Sequence, residues 1–115
     1  MKQSIIYKLT VRLFADEKFF GPGVAALLRR VQERHSLRAA ALSMGMAYSK
    51  AWTILKNAEK QLDCKLLTST TGGKGGGGAV LTPEAIRLLD AYDAFCTELQ
   101  IRGDELFAEK FSFLG

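Results

Sequence analysis

The sequence predicts a mainly helical α+β fold with two short β-hairpins. Three observations carry this prediction. Apolar residues recur at helical spacing in several segments, a threonine and a proline mark the start of a long last helix, and a glycine-rich run separates two short extended segments. The 115 residues, 48% of them hydrophobic, are enough for one core, so we expect a single domain over residues 1–115.

The amino-terminal part of the chain predicts a hairpin followed by a helix. Apolar and polar residues alternate from Ile5 to Phe14, which indicates a strand, and 18–20 can pair back as a second one. Proline is favourable at the first helical position because it lacks an N–H that would be unpaired there, so Gly21-Pro22 opens a helix. Its apolar stripe at i, i+3, i+4 and i+7 consists of Val24, Leu27, Leu28 and Val31.

Residues 37–62 read as two helices joined by a tight turn. Ser36 is a good N-cap for a helix from Leu37 to about Met44, and Gly45 can take the left-handed conformation that ends it. The small Ala41 allows the second helix to pack closely. That helix runs from about Tyr48 to Leu62, so the pattern is typical of a helix-turn-helix over about 37–62.

The second helix has two faces at about 100° per residue. The face predicted to be buried holds Ala51, Ile54, Leu55, Ala58 and Leu62. Hydroxyl, amide and lysine side chains without an acid form the other face, from Ser49, Lys50 and Thr53 at its start to Lys56, Asn57 and Lys60 further on. We expect the first three to meet base edges and the last three to meet phosphates, with Tyr48 at the boundary and Trp52 in the core or helix seam.

Residues 64–82 predict a second hairpin with a soft tip. Six of the thirteen residues from Thr70 to Thr82 are glycine, and Lys74 is the one basic residue among them. Such a tip can bring backbone N–H groups and a positive charge close to a phosphate or a minor groove. A helix-turn-helix followed by a basic hairpin of this kind indicates a winged helix-turn-helix.

A last amphipathic helix is predicted over about 83–102. Thr82 caps it, Pro83 occupies the first position, and Gly103 is expected to break or kink it. Its apolar stripe and the apolar residues after Gly103 need cover, and a second copy of the chain is the expected cover. This helix is therefore predicted to be the dimerisation helix.

Charge is distributed unevenly along the chain. The net charge is +4, but residues 29–74 hold nine basic and three acidic residues, whereas residues 83–115 hold three basic and seven acidic ones. The basic part coincides with the helix-turn-helix and the glycine-rich hairpin, which favours double-stranded DNA as the partner.

Several functions are not expected from this sequence. It lacks a run of about 18 apolar residues, and Cys64 and Cys96 have no zinc-site spacing, so we expect no membrane span, no metal and reduced thiols in a cytoplasmic protein. The single histidine, His35, lies at a predicted helix end, where a terminal or phosphate-contacting role is expected. No convergent set of titratable groups is visible, so we expect neither an enzyme nor a cofactor.

The sequence resembles the amino-terminal DNA-binding domain of the ModE family of molybdate-responsive transcriptional regulators, a LysR-like winged helix. The resembling segments are Phe20 to Gly23, Tyr48 to Trp52, and Thr71 to Thr82. The resemblance implies a homodimeric, sequence-specific DNA-binding regulator. Family members also carry carboxy-terminal molybdate-binding domains, for which a chain ending at Gly115 has no room, so regulation by molybdate is expected to need a separate partner protein or a site that the sequence does not show. The alternative is a protein-interaction module that has lost specific DNA binding.

Overall fold

The computed structural model describes residues 4–70 and 78–115, and its helices follow the predicted order. The helices are α1 (Pro22–Arg34), α2 (Leu37–Ser43), α3 (Tyr48–Leu62) and α4 (Pro83–Lys110), followed by a 3₁₀ turn at Ser112–Leu114. The strands form two separate antiparallel pairs, β1 (Leu13–Phe14) with β2 (Lys18–Phe20) and β3 (Leu67–Thr70) with β4 (Gly78–Leu81). The α+β winged helix-turn-helix fold is confirmed.

Side-chain caps mark the starts of two helices, α2 and α4. The Ser36 side chain accepts a hydrogen bond from the Ala39 N–H at 3.0 Å, and Thr82 Oγ1 accepts one from the Ala85 N–H at 3.1 Å. Each bond satisfies a backbone donor that the first helical turn leaves unpaired. Gly45 has φ 66°, as predicted for the residue after α2.

One core joins α1, α2, α3, the second hairpin and the first half of α4. Leu27, Leu28 and Val31 of α1 are fully buried against apolar residues of the other elements, which include Ala41, Leu55, Leu66 and Leu89. The predicted stripe of α1 and the small residue of α2 are therefore confirmed as core. Cys64 and Cys96 are free, half-buried thiols packed against this core.

The predicted long first strand is wrong over most of its length. Only Leu13 and Phe14 pair with β2, and residues 4–12 form an arm without strand pairing among the described residues. The arm lies along α4 instead, where the Tyr92 hydroxyl donates to the carbonyl of Val11 at 2.7 Å. The alternation of apolar and polar residues could not show that a helix, and not a second strand, would lie beside this segment.

Helix α4 continues through Gly103 to Lys110, so the predicted break at this glycine is also wrong. A Cβ added at Gly103 would collide with the hydroxyl of Tyr7, which lies directly against the helix. The glycine therefore provides space for an aromatic side chain of the arm. At about 1.5 Å per residue this 28-residue helix accounts for the elongated shape, 60 × 31 × 21 Å.

No helix within residues 4–70 and 78–115 combines the length and the apolar character needed to cross a membrane.

Candidate nucleic-acid interface

The predicted DNA-facing residues of α3 lie on one outer face of the helix. Ala51, Leu55 and Ala58 are buried, which orients the opposite side of α3 outward. Ser49, Lys50, Thr53, Lys56 and Lys60 are exposed and Asn57 is half-buried. We call these six residues the α3 outer face.

The hydroxyl of Thr53 is engaged within the helix. Thr53 Oγ1 donates to the carbonyl of Ser49 at 2.9 Å, the backbone carbonyl one turn earlier. This bond fixes the side chain and leaves its methyl group as the more available contact surface. Thr53 therefore offers an apolar contact, whereas Ser49 and Lys50 offer polar ones.

Trp52 is not a core residue. Its side chain is 48% exposed, and Lys56 Nζ lies 5.4 Å from its ring centroid. The exposure of Trp52 could have been inferred from the helical spacing. Trp52 follows Ser49 by three residues and precedes Lys56 by four, so it lies on the same side of α3 as these two exposed residues. The prediction of burial rested on the hydrophobicity of tryptophan alone. In the structure α3 packs through Ala51, Leu55 and Ala58, and the indole of Trp52 stays outside the core.

A second aromatic–cation pair joins the two helices of the motif. The Arg38 guanidinium of α2 lies 4.3 Å from the ring centroid of Tyr48, the first residue of α3. A guanidinium over an aromatic face is an attractive arrangement that keeps its N–H groups free for other acceptors. Arg38 was missed in the sequence, because nothing in the local pattern shows that it reaches across the turn.

A cleft of about 490 Å³ lies between these helices and the second hairpin. Arg38, Tyr48, Trp52, Lys56 and the Ser69 of β3 contribute to its lining. Glu59 also lines this cleft, but its carboxylate is paired with Lys56 and lies near Lys65, so cations, hydroxyl groups and aromatic rings supply the contacts that a phosphate or a sugar could use.

Glu59 ties α3 to the hairpin. Its Oε2 accepts a 2.8 Å hydrogen bond from the Leu66 N–H, and its Oε1 lies 3.3 Å from Lys56 Nζ and 4.0 Å from Lys65 Nζ. Burial raises the pKa of this carboxyl, but the hydrogen bonds from Leu66 and Lys56 outweigh it and hold the pKa below its usual range. The carboxylate therefore remains charged while it positions the base of the hairpin.

One hydrogen bond closes the base of the hairpin, and another anchors β4 to the end of α1. Thr82 Oγ1 donates to the Lys65 carbonyl at 2.7 Å, and the Ala79 N–H of β4 donates to the His35 carbonyl at 2.9 Å. His35 adopts the left-handed conformation that ends α1, consistent with the predicted helix-terminal position. Lys74, the predicted contact at the hairpin tip, lies outside the described residues.

Groups of three or more His, Cys, Asp or Glu side chains able to hold a metal ion are absent from the described parts of the chain.

Comparison with known proteins identifies the class. Residues 25–86 match the family of bacterial regulatory helix-turn-helix proteins of the lysR type. The chain belongs to this family, and it is a regulatory helix-turn-helix domain.

Within that class the chain is a ModE-like helix-turn-helix domain. It is 38% identical to the molybdenum transport protein ModE of Herbaspirillum seropedicae over 93% of its own length and 36% of the relative. It is 38% identical to the transcriptional regulator ModE of Yersinia pestis over 86% and 36%, and 37% identical to the dual regulator ModE of Escherichia coli over 75% and 31%. The chain thus spans about a third of the length of these relatives.

A solved structure of ArgP from Mycobacterium tuberculosis is also similar, with a TM-score of 0.49 and 25% identity over 79% of this chain and 30% of the other.

Proposed function

We propose that this protein is a homodimeric transcriptional regulator that binds double-stranded DNA at specific sequences in the cytoplasm. The α3 outer face carries the proposal, because five of its six residues are exposed, it contains no acid, and α3 is bound to the base of the hairpin. A helix of this kind fits the major groove with its first residues at the base edges.

The proposed roles follow the position of each side chain. Ser49 and Lys50, at the start of α3, would contact base edges through their polar groups, and the methyl group of Thr53 would contact a thymine methyl. Lys56, Asn57 and Lys60 would contact phosphates, as would Lys74 at the hairpin tip. Tyr48 and Trp52 would pack against the sugar–phosphate backbone from the cleft described above.

The proposed dimer uses a stripe of α4 that the other described residues leave largely uncovered. Phe95 and Leu106 are 52% and 54% exposed, and half-buried Leu99 lies between them on the same side at about 100° per residue. Large exposed apolar residues in a row on a projecting helix are typical of a subunit interface. Phe113 and Leu114, also exposed, extend the apolar surface at the end of the helix.

We propose that the regulated genes concern molybdenum, because one matched relative is named a molybdenum transport protein and another a molybdenum-pterin-binding protein. We propose that the effector is sensed by a separate partner protein or by another domain. The described residues are not proposed to bind it. Added molybdate should therefore leave the melting temperature of this chain unchanged. A saturable upward shift would place the sensor within it.

Selection of bound duplexes from a random pool tests the DNA function. We expect a two-fold-symmetric consensus with half-sites about one helical turn apart. Affinity for it should fall steeply as salt is added, because phosphate contacts release counterions. A pool without enrichment at low ionic strength would contradict the proposal and favour a protein-interaction module instead.

A further inference from the structure

The segment from Tyr7 to Asp16, which includes the amino-terminal arm and the first hairpin turn, connects the distal part of α4 to α3, the proposed recognition helix. Tyr7 lies against the distal part of α4, the Tyr92 hydroxyl holds Val11 near its proximal part, and the Asp16 N–H of the first hairpin donates to Gln61 Oε1 of α3 at 3.1 Å. One short segment thus contacts α4 at two points and α3 at a third.

Tyr7 of the arm contacts α4 through both its hydroxyl group and its ring. Its hydroxyl donates to Asp104 Oδ1 at 2.7 Å and accepts from Gln100 Nε2 at 2.8 Å, and its ring centroid is 5.2 Å from that of Phe107. Burial and the hydrogen bond to Asp104 raise the pKa of Tyr7 to about 12, so the hydroxyl is protonated and acts as the donor to that carboxylate.

Gly103 is matched to this contact. Glycine in a helix interior is destabilising relative to alanine, so its presence there needs a compensating gain. The gain is the space for the Tyr7 hydroxyl, which an alanine Cβ would occupy. Tyr7 and Gly103 therefore act as a pair.

The distal half of α4 has little other support. Buried residues of α4 are Ala85, Leu89 and Tyr92, all in its first ten positions. Beyond Cys96, the half-buried residues of α4 are Leu99, Gly103 and Phe107, and the other residues of this half are exposed. The direction of this half relative to the helix-turn-helix thus depends on the arm.

We propose that Tyr7 is a positioning residue for DNA recognition. It braces the distal half of α4 against the helix-turn-helix, and so fixes the separation and angle of the two recognition helices in the dimer. This inference rests on the dimeric DNA binding proposed above. The face that contacts Tyr7 is separate from the Phe95 stripe, since Gln100, Gly103 and Asp104 lie some 80–180° around the helix from Phe95 at about 100° per residue.

A double-mutant cycle tests the contact itself. Gly103→Ala should lower the urea midpoint in the wild-type background, where it displaces Tyr7, and raise it in a Tyr7→Ala background, where only the better helix propensity of alanine remains. The same change in both backgrounds would show that Tyr7 and Gly103 are not coupled, and would overturn the proposal.

Half-site spacing tests the positioning role. Duplexes carrying the selected half-sites at the preferred spacing and one base pair longer or shorter are compared for wild type, Tyr7→Ala and the control Lys8→Ala. We expect Tyr7→Ala to stay dimeric by light scattering. Its ratio of affinities for the correct and the altered spacing should fall by about threefold or more, because a dimer whose two DNA-binding units are less firmly held can bind half-sites at either spacing. An unchanged preference in a dimeric variant would refute the positioning role and leave the DNA function standing.

A measurement without DNA separates the two proposals. Spin labels are attached at Gln32→Cys of α1 and Glu109→Cys of α4, in a protein that also carries Cys64→Ser and Cys96→Ser. Diluted with unlabelled protein, the sample reports the distance from α1 to the end of α4 within one chain. Tyr7→Ala should broaden that distance distribution and Lys8→Ala should not. An equally narrow distribution in Tyr7→Ala would overturn the brace even if no DNA site were found.

Discussion

The carboxylate of Glu59 accepts a 2.8 Å hydrogen bond from the backbone N–H of Leu66, and this contact joins α3 to the base of the second hairpin. Leu66 is fully buried, so its N–H has no access to water if the acceptor is removed. Glu59 lies at the edge of a basic surface, where a carboxylate would be expected to repel phosphates. Its role there is structural, since it holds the base of the hairpin against α3.

Glu59→Ala is expected to lower the free energy of unfolding by about 1–3 kcal/mol, the cost of leaving a buried donor unpaired. Urea denaturation measures the change. Glu59→Gln is the matched control, because its amide oxygen can still accept the bond, and it should retain most of the stability. Equal losses in the two variants would contradict the role assigned to the hydrogen bond.

The same carboxyl predicts a pH dependence of stability. Its pKa is lower in the folded than in the unfolded chain, so its contribution is fully present above the unfolded value and is lost as the pH falls through the folded value. Between about pH 5 and pH 3 the wild type should lose more stability than Glu59→Gln. Parallel curves of urea midpoint against pH would contradict this prediction.

Two lysines of the α3 outer face are expected to differ in their contribution to DNA binding. Lys56 is paired with Glu59, whereas Lys50 forms no ion pair within the described residues. Lys50→Ala should therefore weaken binding more than Lys56→Ala. Lys56→Ala, which removes a proposed phosphate contact, should lower the slope of log affinity against log salt by about 0.9, whereas the loss in Lys50→Ala should depend on the base sequence.

Fluorescence anisotropy with a labelled duplex measures both quantities, with Lys8→Ala as a charge-matched control outside α3. Unchanged affinity in Lys50→Ala would rule out the α3 outer face as the docking surface.

Thr82 links the hairpin to α4 through one hydroxyl, which accepts from Ala85 and donates to Lys65. Thr82→Val keeps the shape and removes both bonds, so we expect a loss of about 1–3 kcal/mol in the free energy of unfolding. Thr97→Val, at an exposed position of the same helix, is the control and should change stability by less than about 0.5 kcal/mol. Similar values for the two variants would show that the Thr82 bonds contribute nothing measurable.

The uncovered stripe of α4 predicts the effect of a charge at the proposed dimer interface. Phe95→Asp should raise the dimer dissociation constant by about tenfold or more, because an aromatic anchor is lost and a carboxylate is buried. Light scattering over a concentration series measures the mass. Leu42→Asp, which changes an exposed apolar residue of α2, should remain dimeric. A dimeric Phe95→Asp protein would place the interface elsewhere.

Much of this molecule could be predicted from local sequence. The start of α1 at Pro22, the bounds of α3, the Ser36 and Thr82 caps and the turn at Gly45 all agree with the structure. Each depends on residues within one or two helical turns, where capping bonds and apolar spacing act. The winged helix-turn-helix class, and the face of α3 directed outward, followed from these local features alone.

What only the tertiary structure decided involves residues far apart in the chain. Residues 4–12 lie on α4 instead of forming a strand, Gly103 receives Tyr7 instead of breaking its helix, and Trp52 stays outside the core. In the first two cases the partners are separated by more than 80 residues, and for Trp52 the deciding factor is which smaller residues fill the space beneath α3. Local preferences leave several conformations of such segments nearly equal in energy, and packing between distant segments selects one of them. The local sequence alone therefore cannot show which conformation is adopted.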